Sequence, residues 1–110
     1  MLRQIPIDTL GQVDLVEQAV LQIPVSYFTE QKGISFEEKC DDLDWYEESF
    51  FTWKEKTPFA LIHYRGNPEN YTSIYLDRGL HGAELRGTLE DILNGFGLPK
   101  SSVAWLHEGG

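Results

Sequence analysis

Between Ser35 and Glu55 two stripes run at the spacing of an α-helix, and they constrain the fold more than any other feature of the chain. Phe36, Leu43, Tyr46, Phe50 and Trp53 recur at intervals of three, four or seven residues, which stacks them along one side of a helix. Glu37, Asp41, Asp44, Glu48 and Glu55 recur in the same way on another side. The spacing therefore predicts a helix over 36–54 with an aromatic face for the core and a carboxylate face for solvent or a cationic partner. Ser35-Phe36-Glu37-Glu38 has the form of a capping box that would open it, Lys54 and Lys56 suit its end, and Pro58 stops it.

At 110 residues the chain has the length of one domain, long enough to bury a core without metal or disulfide staples. A hydrophobic content of 41%, with three Trp, five Tyr and six Phe, argues for a packed globule. The net charge is −9, and residues 30–48 hold eight acids against two lysines, so six of the nine excess charges fall there. A field of that sign repels phosphate, which speaks against binding nucleic acid or an anionic membrane. The single Cys40 cannot form an internal disulfide. No long apolar run marks a signal peptide or a membrane span. A soluble cytoplasmic protein is expected.

The rest of the chain reads as one α+β domain of two layers, with a small, mostly antiparallel sheet packed by two or three helices. A helix is expected over about 10–22, although Ala19, Leu21, Ile23 and Val25 alternate as a strand would. A short β segment follows at Val25–Phe28. A hairpin is expected from strands at about 59–65 and 71–77 around Gly66-Asn67-Pro68. A last helix at about 88–96 is capped by Gly97, and a final strand lies at about 102–107.

The candidate partner-binding residues are Glu37, Asp41, Asp44, Trp45, Glu48 and Phe51. In a helix Glu37/Asp41 and Asp44/Glu48 are like-charge pairs, which cost stability. Trp45 and Phe51 fall outside the main apolar stripe, and aromatics ringed by charge suit a protein interface. The same row also fits a plain solvated face. His63, His81 and Asp77 are candidates for acid–base catalysis, with Arg78 beside Asp77 and Arg65 as a holder for an anionic ligand. Solvent-facing strand polars explain the same residues. The three histidines have no metal-ligand spacing, Gly79, Gly82 and Gly87 form no phosphate loop, and Cys40 is placed on the helix's buried side. No metal and no cofactor are expected.

Leu93-Asn94-Gly95-Phe96-Gly97-Leu98-Pro99-Lys100-Ser101-Ser102-Val103 and His107 resemble the helix-to-strand corner of the small cyanobacterial XisI-like excision-controlling factors over about fifteen residues. No function is carried over from that corner. Charge and size together lead to the expectation of an acidic, non-enzymatic domain that binds a basic surface of a protein partner. Immunity proteins, antitoxins, inhibitors and secretion chaperones are analogues in charge and size alone. A small enzyme or anionic-ligand domain at the hairpin, and a homodimeric structural subunit, are the alternatives.

Overall fold

The computed structural model describes residues 2–5, 14–40, 44–53 and 57–106. In chain order these form β1 (Leu2–Ile5), β2 (Leu15–Leu21), α1 (Val25–Lys32), β3 (Glu37–Cys40), β4 (Trp45–Trp53), β5 (Thr57–Tyr64), β6 (Thr72–Asp77), α2 (Gly82–Phe96) and β7 (Val103–Leu106). The strands make one antiparallel sheet in the order β1-β4-β5-β6-β2-β7, with β3 also pairing β4. No described helix is long and apolar enough to cross a membrane.

The expected hairpin is present: Phe59 faces Leu76, Leu61 faces Ile74 and Ile62 faces Ser73 across β5 and β6. The last helix is also present but starts earlier, at Gly82. Gly97 caps it at φ 73°, and its N–H donates back to the carbonyls of Asn94 and Leu93. A residue with a Cβ is strained in that left-handed conformation.

The helix expected over 36–54 is replaced by the β3–β4 hairpin, with Asp41 and Leu43 outside the described residues. In β4 alternate residues face opposite sides. Ser49 and Phe51 are buried on the side covered by the helices, while Tyr46, Glu48 and Phe50 lie on the other. Ser35 makes no helix cap. Its carbonyl accepts from Gln4 Nε2 (2.6 Å) and Ser49 Oγ (2.9 Å), while Gln4 Nε2 also reaches Ser49 Oγ at 2.7 Å. That cluster closes the gap where β3 and β1 share one edge of β4, since β3 takes Trp45–Glu48 and β1 takes Phe50–Trp53.

Two further expectations are overturned. Residues 15–21 are strand rather than helix, with a bulge between Glu17 and Ala19. Residues 25–28 begin α1 rather than a β segment. Phe28 of α1 packs edge-on to Phe96 of α2 at 5.2 Å, which places both helices on one side of the sheet. Phe96 in turn meets Phe51 at 5.6 Å and Phe59 at 6.2 Å, and those two stack at 5.1 Å. This aromatic group, with Leu61, Ile74, Leu76, Leu85, Leu89 and Ile92, is the core.

Candidate functional site

The helical layer does not reach the end of the sheet where β4 begins and β5 finishes. A groove of about 490 Å³ opens there, bounded by the first turn of α1 (Pro24, Val25, Ser26) and by Glu69 and Asn70 of the β5–β6 turn. Its chemistry comes from Glu38, Trp45, Glu47, His63 and Arg65. Register explains the grouping. Glu38 on β3 is opposite Glu47 on β4, and Glu47 is opposite His63 on β5. Directly opposed residues on antiparallel strands point to the same face, so the three form a row across the sheet.

Trp45 stands at the start of β4 and is 47% exposed. Asp44 sets its backbone: one carboxylate oxygen accepts the Trp45 N–H at 2.8 Å and the other accepts the Gly66 N–H at 2.7 Å. The Arg65 N–H donates to the Trp45 carbonyl at 2.8 Å. Gly66 suits this close approach, since a Cβ there would lie 2.8 Å from an Asp44 carboxylate oxygen and displace it. The Arg65 side chain, 63% exposed, lies over the indole with its guanidinium carbon 5.7 Å from the ring centroid, and Nη2 is 3.4 Å from Glu38 Oε1.

His63 Nδ1 is 2.7 Å from the Tyr71 carbonyl. A carbonyl only accepts, so Nδ1 carries the hydrogen and donates it. Three carboxylates face one guanidinium in the groove. The carboxylates outnumber the guanidinium, which makes the cavity acidic, and its exposed flat surface is an indole. Such a surface receives cations.

The structure separates the other sequence candidates. Glu48 is 6% exposed and paired with Lys39 Nζ at 2.7 Å on the opposite face, away from the groove. Glu37 lies on that same outer face, exposed, 3.7 Å from the same ammonium. The two acids together hold the Lys39 pKa above its ordinary 10.5, chiefly through the Glu48 hydrogen bond. Phe51 is 2% exposed, which removes it as a surface anchor. Asp41 and His107 lie outside the described residues. Cys40 is exposed on an edge strand rather than buried.

His63 and Arg65 are not joined by Asp77, Arg78 and His81, which sit at the far end of β6, about 20 Å away by strand rise. There Asp77 accepts the Gly79 N–H at 2.7 Å, His81 Nδ1 bonds the Gly79 carbonyl at 2.9 Å, and Arg78 pairs with Asp14 at 2.6 Å. Arg65 is engaged by Glu38 and by the Trp45 indole. Glu47 and Glu69 were missed as site residues, and Glu38 was read only as a cap. They converge through strand register and the β5–β6 turn, which no spacing along the chain encodes. Among the described residues no three His, Cys, Asp or Glu side chains form a metal-holding group.

No family model matches this chain, and no curated protein or solved structure matches it. What the fold and groove define is a class by architecture: an antiparallel sheet with two helices on one face and an acidic, tryptophan-floored groove at its end.

Proposed function

We propose that this protein binds a basic segment of a protein partner in the groove lined by Glu38, Trp45, Glu47 and Glu69. The observation that carries this reading is the pairing of a half-exposed indole with three carboxylates in one cavity. A cationic side chain laid on the indole gains cation–π attraction, and the carboxylates steer it there. Of the residues singled out from sequence, Trp45 is the anchor, and Asp44 positions it from below. Glu48 and Phe51 have structural roles instead.

The test is a titration of a basic peptide into wild type, Trp45→Ala and the Glu38→Gln, Glu47→Gln double variant at low and high salt. Affinity is expected to fall at least tenfold in the double variant, and to fall steeply with salt in the wild type and in Trp45→Ala but much less in the double variant. Equal binding by all three proteins would exclude the groove as the binding surface.

A further inference from the structure

The groove already contains one cation of its own. Arg65 occupies the place over the Trp45 indole that an incoming cation would need, with Nη2 turned to Glu38. Its backbone is fixed on both sides, by the Arg65 N–H bond to the Trp45 carbonyl and the Gly66 N–H bond to Asp44. Its side chain is held far less: it is 63% exposed, and its contact with Glu38 is 3.4 Å long. The side chain can therefore leave the indole while the turn stays in place. Glu47, opposite Glu38, is paired with no cation among the described residues. The resident guanidinium thus leaves part of the groove's negative charge unmatched.

We propose that Arg65 is a displaceable internal stand-in, and that the partner's segment binds by inserting an arginine that takes its place between Trp45 and the Glu38–Glu47 pair. This rests on the reading of the groove given above and adds the identity of the inserted side chain and a latch that regulates access. A guanidinium suits the position better than an ammonium, because it is planar, stacks on an indole and can fork across two carboxylates. The latched form is a competing state, so the observed affinity is lowered by the fraction of molecules in which Arg65 covers the indole. An exposed cation–π contact of ordinary strength closes the site to the extent of about two- to fivefold.

The probes are end-blocked tetra-arginine and tetra-lysine peptides, titrated calorimetrically at low ionic strength into wild type, Arg65→Ala, Trp45→Ala and Arg86→Ala. Arg86 is an exposed residue of α2 outside the groove, so its variant removes the same charge without touching the latch. The expected result is tighter binding of tetra-arginine than of tetra-lysine. Arg65→Ala should then bind tetra-arginine about two- to fivefold more tightly than wild type, with a much smaller gain for Arg86→Ala. Trp45→Ala should lose the preference for arginine.

If both peptides bind wild type but Arg65→Ala binds no better than Arg86→Ala, Arg65 is a wall of the groove and the latch is overturned while the groove reading stands. Equal affinity for the two peptides overturns the arginine assignment. If neither peptide binds wild type or Arg65→Ala, the groove reading fails and the latch fails with it.

Discussion

Glu38 and Glu47 stand directly opposite one another on neighbouring strands, an arrangement that costs stability. Glu37 and Glu48 are opposed in the same way one residue further along, but Lys39 bridges both on the outer face. Among the described residues the first pair has only the long contact from Arg65. Glu47→Gln is therefore expected to stabilise the fold by about 0.5 kcal/mol in urea melts while weakening peptide binding. Lys39→Met is expected to do the reverse, costing about 2 kcal/mol, because it strands a buried carboxylate. The Lys39 pKa is raised on folding. Its contribution is thus complete below the ordinary value of 10.5 and fades as pH rises through the higher folded-state value. Thermal melts of wild type should lose stability above about pH 10.5, and Lys39→Met should lack that component of the loss.

Among the elements, β4 carries the site and was the hardest to read from sequence. Its residues Tyr46 and Phe50 are four apart, a spacing that fits a helix and a strand equally, because four is also even. Aromatics occupy both faces of β4, so no clean alternation of apolar and polar residues marks it. The like-charge pair Asp44/Glu48 was the signal against a helix: repulsive at i, i+4, its members part in the hairpin, where Asp44 accepts from the Trp45 and Gly66 N–H groups and Glu48 pairs with Lys39 on the outer face. In β2 the bulge sets Val16 and Ala19 three apart while their partners Leu76 and Ile74 are two apart, which imitates helical spacing. The hairpin of β5 and β6, α2 and the cap at Gly97 were legible because their signals are local. The groove was not, because it depends on the registers of β3, β4 and β5 together. Gly66→Ala tests that assembly. The new Cβ would push into the Asp44 carboxylate, so about 1 kcal/mol of stability should be lost, along with most of the peptide affinity. A variant that is destabilised but binds normally would show that Asp44 does not position Trp45.

For the molecule as a whole, two helices and one face of the sheet share a single aromatic core, and the groove is the part of that face the helices leave uncovered. Phe96 touches Phe28, Phe51 and Phe59, so Phe96→Ala should cost about 3–5 kcal/mol. That is a large fraction of the roughly 5–15 kcal/mol available to a domain of this kind, and it would show as a cooperative melt at much lower temperature. The net charge of −9 favours a basic partner over a second copy of the chain.

A negative field put to use at the groove should be visible when an arginine-rich peptide is titrated into isotope-labelled protein and backbone amide shifts are followed. The perturbed amides should centre on Glu38, Trp45, Glu47, His63, Arg65 and Glu69, with the outer-face residues Glu37 and Glu48 less affected. Shifts centred on the outer face or on β7, or no shifts at all, would contradict that use of the field.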